Sequence, residues 1–200
     1  VFEDIGIPVG ACDGIARLTD ILPLVKLLHP YRSYSQLGKD LFRLQSYFVT
    51  HLLFIMGGWG KICLLENRHT LKEETAFLCA NIDTVIRMKD PELVGEFVQA
   101  LHILGFGDED PVIIRGHRYL LQTESKTFWA GKKPTFYKRY HSAYCGIIGL
   151  ADFKPDKGRK MPVEWIEALE RTLATPEEEE GAESDEGETH SRGTKNRQKK

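Results

Sequence analysis

Apolar residues recur along this chain at three- and four-residue intervals, the period of an amphipathic helix, and each run stops at helix punctuation. Leu18, Ile21, Leu22, Val25 and Leu28 form a first stripe, ended by His29-Pro30 because a proline ring blocks continuation of a helix. Leu37, Leu41, Leu44, Phe48, Leu52 and Ile55 form a second, ending at Gly57-Gly58. Thr70-Leu71-Lys72-Glu73 reads as a capping box that opens a third helix through Phe77, Leu78, Ile82, Val85 and Ile86. Asp90-Pro91 and Asp110-Pro111 each set a capping acid before a proline suited to the first helical turn. The helices they open carry Leu93, Val94, Phe97, Leu101 and Leu104, then Ile113, Ile114, Tyr119 and Leu120. A segment from about Phe136 to Phe153 follows, and a last helix begins near Pro162 with Trp165, Ile166, Leu169 and Leu173. Alternating runs are short, so the pattern predicts an all-α fold of seven helices joined by mostly short loops.

Within this pattern one pair repeats. Tyr47-x3-His51 and Tyr137-x3-His141 lie ninety residues apart, each inside a long segment of helical periodicity. Residues four apart share a helix face, so each segment aims a phenol and an imidazole in one direction. The spacing suits two helix-pair repeats and predicts helical hairpins that curve about a common hollow.

Charge refines the boundaries. The net charge is −2, but residues 177–188 hold eight acids and no base, and residues 189–200 hold five Lys or Arg and no acid. The body before them, with 22 basic and 21 acidic residues, is nearly neutral and offers no one-signed surface for a nucleic acid. Residues 1–33 are read as an N-terminal helix, the end of an upstream part expected because the chain begins at Val1. Residues 34–175 form the helical-hairpin domain, and 176–200 an acidic-then-basic tail too polar to fold. Cys12, Cys63, Cys79 and Cys145 are scattered without a CxxC pair, as in reduced intracellular, cytoplasmic proteins. No signal peptide is visible. No apolar run reaches the roughly 18 residues of a membrane span.

Arg115-Gly116-His117-Arg118-Tyr119-Leu120-Leu121, followed by Thr123-Glu124 and Trp129, resembles the QW repeat of the α/α-toroid superfamily of terpene cyclases and protein prenyltransferases. Glu124 stands where that repeat has Gln. The resemblance covers roughly residues 35–153 and implies an all-α arc of helical hairpins, with Arg115, Gly116, Tyr119, Glu124 and Trp129 joining one hairpin to the next. It also implies that residues 97–105 and 140–150 are inner-wall helices. The acidic motif of the class II cyclases and the Asp, Cys and His zinc ligands of the prenyltransferases are not found, so no catalytic residue of either family is carried over.

The candidate chemistry therefore rests on the Tyr–His pairs. His51 and His141 could exchange protons, with Tyr47 and Tyr137 orienting them or stabilising charge. Tyr47, His51, Phe54, Tyr137, His141 and Tyr144 are the candidate ligand-binding set. His141 and Cys145 have the spacing of two metal ligands on one helical turn, and His51 could supply a third. No carboxylate partner is evident, so neither metal nor cofactor is assigned. Gly57-Gly58-Trp59-Gly60 lacks the Lys-Ser/Thr of a phosphate loop and reads as a tight turn between helices. Two functions are expected from this set. The first is a noncatalytic scaffold or binding domain whose concave aromatic and His-lined face holds an apolar ligand or peptide. The second is a terpene-cyclase-like enzyme acting on an isoprenoid or another apolar substrate.

Overall fold

A computed structural model of the chain describes residues 18–124, 129–130, 134–156 and 158–173. Among the described residues there are seven α-helices and no strand: α1 (Leu18–Leu27), α2 (Tyr34–Met56), α3 (Lys72–Arg87), α4 (Pro91–Ile103), α5 (Pro111–Thr123), α6 (Phe136–Leu150) and α7 (Val163–Leu173). The tail from residue 176 lies outside the described residues. No described helix is long and apolar enough to cross a membrane.

α4 is the centre of the molecule. Every residue from Glu92 to Ile103 is buried, and the helix packs against α2, α3, α5 and α6. Its start follows the sequence closely: the Asp90 carboxylate accepts the Leu93 amide at 3.3 Å, and Pro91 occupies the first turn. Leu93, Val94, Phe97, Val98, Leu101 and Leu104 project from it into one continuous core with Phe42, Leu53, Phe77, Ile82, Ile113 and Leu120. α1, from the part before residue 34, packs against α7, and Leu22 and Val25 join Trp165 and Leu169 in the same core.

α4 and α6 approach backbone to backbone. A Cβ on Gly149 would lie 2.7 Å from the Gly95 Cα, and one on Gly95 would overlap the Cys145 carbonyl group. Glycine inside a helix costs about 0.5–1 kcal/mol relative to alanine, so the two helices meet here at some expense to their own stability. α5 is held in a similar way. Gly116 leaves no room for a Cβ beside Val98, and Arg115 pairs with Asp83 of α3 at 3.1 Å. Trp129 donates its indole N–H to the Leu120 carbonyl at 2.9 Å, and its ring leaves no room for a Cβ on Gly146. Tyr119 packs half-buried against the core, while Glu124 is exposed at the end of α5.

Three local expectations are corrected. The Thr70–Glu73 capping box does not start α3. The Thr70 and Leu71 amides bond back to the Asn67 carbonyl, and the helix begins at Lys72 with Leu71 in the cap position. Asp110 likewise turns away from its helix, accepting the Gly107 amide at 2.7 Å and so tightening the preceding loop. In α2 the buried face is Phe42, Ser46, Val49, Leu53 and Met56; of the predicted stripe Leu52 is buried and Leu37 and Phe48 are partly so, but Leu41, Leu44 and Ile55 are exposed. Ser46 and Thr50 look polar in sequence but are buried with their hydroxyls bonded, Ser46 to the Phe42 carbonyl and Thr50 to Glu96. The Gly57–Gly60 segment is the expected tight turn, with Gly58, Trp59 and Gly60 all at positive φ.

Replacing Gly95 with alanine should test the α4–α6 approach. The substitution gains helix propensity but forces the helices apart, and a net loss of about 1–3 kcal/mol is expected from urea unfolding. A variant as stable as wild type would show that the two backbones do not meet at this point.

Candidate functional site

Three pairs of residues, each spaced by four, meet at one place. α2 presents Tyr47 and His51, α4 presents Glu92 and Glu96, and α6 presents Tyr137 and His141. With Arg43, Phe48 and Lys138 they line a cavity of about 620 Å³. The buried α4 makes its floor, and the half-exposed residues of α2 and α6 make its walls. The glycine contact between α4 and α6 is what brings Glu92 against Ser142 and Glu96 against Cys145.

The two glutamates are 3% and 2% exposed, yet their surroundings differ. Lys138 Nζ lies 2.6 Å from Glu92 Oε2, the Ser142 hydroxyl donates to Oε1, and Arg43 Nη2 approaches Oε2 at 3.5 Å. Burial alone would raise the Glu92 pKa, but the hydrogen bonds from Lys138 and Ser142 outweigh it and hold the carboxyl below its ordinary value. Glu96 has no lysine or arginine beside it, only His51, whose Nδ1 is 3.7 Å from Oε2, and the more distant charge of His141. It accepts from the Thr50 hydroxyl at 2.7 Å and faces the Cys145 thiol at 3.8 Å, and burial pushes its pKa up to about 7. One helix therefore carries an ionised carboxylate and, one turn later, a carboxyl that is half protonated near neutrality. Groups set apart in this way are the arrangement that general acid–base chemistry uses.

The walls are fixed by shorter-range bonds. Arg43 bridges α2 to the start of α4, 2.9 Å from Asp90 Oδ2 through Nε, and donates through Nη2 to the Tyr47 hydroxyl at 2.9 Å. Burial, with nearby Asp90 and the glutamates, raises the Tyr47 pKa, so the phenol stays neutral. His51 Nδ1 lies 2.7 Å from the Tyr47 carbonyl. A carbonyl only accepts, so Nδ1 carries the hydrogen and Nε2 keeps its lone pair for a ligand in the neutral ring. His141 stacks on Tyr137 with ring centres 5.2 Å apart, and its Nδ1 is 3.7 Å from Glu92 Oε2.

Of the six residues expected to bind a ligand, the structure brings four together: Tyr47, His51, Tyr137 and His141. Phe54 is buried behind the wall, its ring centre 5.6 Å from that of His51 and 5.7 Å from that of Trp59. Tyr144 pairs with Tyr140 outside the lining. Of the motif residues, Arg115, Gly116 and Trp129 make contacts between elements, Glu124 is exposed, and none lines the cavity. Sequence reasoning missed Glu92, Glu96, Arg43 and Lys138. A signal was present for the glutamates: they are two acids at a four-residue interval in a thirteen-residue helix that is otherwise largely apolar.

Glu96 also supplies a carboxylate beside His141 and Cys145, and one donor atom of each lies within 4.8 Å of the others. These groups already answer one another. Burial and the two glutamates raise the Cys145 pKa, which keeps its S–H as a donor toward Glu96, and the Lys138 ammonium stands over the same floor.

The raised pKa of Glu96 has a sign that can be measured. The folded protein keeps this proton to about pH 7, whereas the unfolded chain releases it near 4.5. Between those values the folded state binds the extra proton, so stability falls as pH rises from about 4.5 to 7 and then levels. Relative to Glu96→Gln, wild type should lose on the order of 3 kcal/mol across that window in urea unfolding. Parallel pH courses for the two proteins would place the proton elsewhere. The chain matches no protein-family model, no curated protein and no solved structure.

Proposed function

We propose that this is a helical binding domain whose cavity between α2, α4 and α6 holds one small molecule with an apolar or aromatic body and a single hydrogen-bonding head. The observation that carries it is the convergence of Tyr47–His51, Glu92–Glu96 and Tyr137–His141 on one hollow of about 620 Å³, the size range of small-ligand sites. Phe48 and the tyrosine rings offer flat apolar surface for the body. Neutral Glu96 offers an O–H to an oxygen, and His51 Nε2 offers an acceptor to a hydroxyl. The closed floor of α4 suits a compact molecule better than an extended peptide. Arrangement of the hairpins as an arc of α/α-toroid type belongs to this reading, supported by Trp129 closing the end of α5 against α6.

The opposed ionisation of Glu92 and Glu96 favours a second reading, an acid–base enzyme on an apolar substrate such as an isoprenoid. Glu96 would then give its proton to the bound molecule, and ionised Glu92, braced by Lys138, would stabilise positive charge or accept a proton.

Chemical-shift mapping with phenyl- and isoprenyl-bearing alcohols tests both. Binding should shift amides of α2, α4 and α6 around the cavity, and Tyr137→Ala should weaken the best binder about tenfold, the loss of some 1.4 kcal/mol of contact. Shifts confined to another groove, or no shifts with any of these alcohols, would contradict the proposal. Turnover of a bound alcohol that is lost in Glu96→Gln would favour the enzyme.

A further inference from the structure

Outside that cavity, the end of α4, the following loop and the middle of α5 bring together His102, Asp108 and His117, with one donor atom of each within 4.8 Å of the others. His102 is 3% exposed, and its Nδ1 lies 3.0 Å from the Phe106 carbonyl. That carbonyl can only accept, so in the neutral ring Nδ1 carries the hydrogen and Nε2 has a bare lone pair. The carbonyl is itself held in place. The Phe106 amide donates to the Leu101 carbonyl at 3.0 Å, and the Arg68 guanidinium stacks on the Phe106 ring at 4.0 Å. Phe153 covers His102, their rings stacked with centres 6.0 Å apart.

The outward nitrogens have nothing to bond. His102 Nε2 and His117 Nε2 are both buried side-chain atoms without a hydrogen-bond partner. Asp108 Oδ1 is 3.6 Å from His102 Nε2, too far for a hydrogen bond, and the Asp108 side chain is 63% exposed. Two buried imidazole nitrogens without partners, one of them 3.6 Å from a carboxylate oxygen, leave a polar cost that one ion would remove. An imidazole whose inner N–H is fixed by a backbone carbonyl is also the usual support of a metal-bound histidine.

We propose that His102, Asp108 and His117 bind one divalent transition ion, with zinc the expected occupant. Bonds of about 2.0–2.2 Å place tetrahedral donor atoms roughly 3.3–3.5 Å apart, so small side-chain rotations from the present spacing suffice. Two imidazoles disfavour magnesium and calcium, which take oxygen ligands. The exposed side of Asp108 leaves the fourth position to water. The ion would clip the loop after α4 to α5, a role independent of the ligand cavity.

Zinc titration of the chelator-treated full chain by calorimetry tests this, together with the absorption spectrum of the cobalt form. One equivalent should bind, with affinity reduced roughly tenfold or more by Asp108→Asn and by His117→Gln, and unchanged by Cys145→Ser. Asp108 is exposed on a loop, so its variant should keep the wild-type circular dichroism even if His117→Gln does not. The cobalt form should lack thiolate charge-transfer absorption. No binding, full affinity in the Asp108→Asn variant, or a thiolate band would overturn the proposal. The first of these outcomes would leave a bridging water as the partner of the two imidazoles.

Discussion

The contact on which this structure depends is the approach of α4 to α6 through Gly95 and Gly149. Nothing larger than hydrogen fits between them, so the spacing of the two helices is set by backbone against backbone. Two consequences follow. α4 is buried on every side, which makes it the rigid floor of the molecule. Its two acidic side chains, which would normally seek water, are pressed against Ser142 and Cys145 of the neighbouring helix. Burying a carboxylate is costly unless it is paired or neutral, and the molecule uses both remedies one turn apart. Glu92 is paired with Lys138 and kept ionised; Glu96 has no lysine or arginine partner, and burial outweighs its hydrogen bonds and the nearby histidines, so it takes up a proton.

The cavity is thus a property of three helices acting together. α2 contributes the phenol and imidazole of Tyr47 and His51, with Arg43 tying that wall to the start of α4 at Asp90. α6 contributes the matching pair and the lysine. Each helix presents its two residues at a four-residue interval because that interval is what a helix face allows. A site assembled from rigid elements holds its groups more closely than one built on loops, and its acid and its ionised partner keep their separate environments.

Much of the fold was legible in the chain. Seven helices appear where the apolar stripes and the proline and glycine signals place them, and the Asp90-Pro91 start and the Gly57–Gly60 turn form as read. The failures have physical causes. α2 carries apolar residues on two sides, and its buried face runs through Ser46 and Thr50, whose polarity is cancelled by partners only the tertiary structure supplies. Thr70 and Asp110 were good caps by type, but both were drawn into the turns that precede their helices. Four of the nine lining residues of the candidate site were legible too, because Tyr47, His51, Tyr137 and His141 share a spacing. Glu92 and Glu96 have the same spacing, but an acid pair on a helix reads first as a solvated face. Only the glycine contact, which has no signature distinct from an ordinary helical glycine, turns that face inward.

A carbon-detected titration of the Glu92 and Glu96 carboxyl groups in the full chain addresses the central claim most directly. If the α4–α6 contact buries both and pairs only one, Glu96 will titrate near 7 and Glu92 below its ordinary value of 4.5. Two curves superimposed near 4.5 would mean that both carboxylates are solvated, and that the floor of the cavity is not where this account puts it.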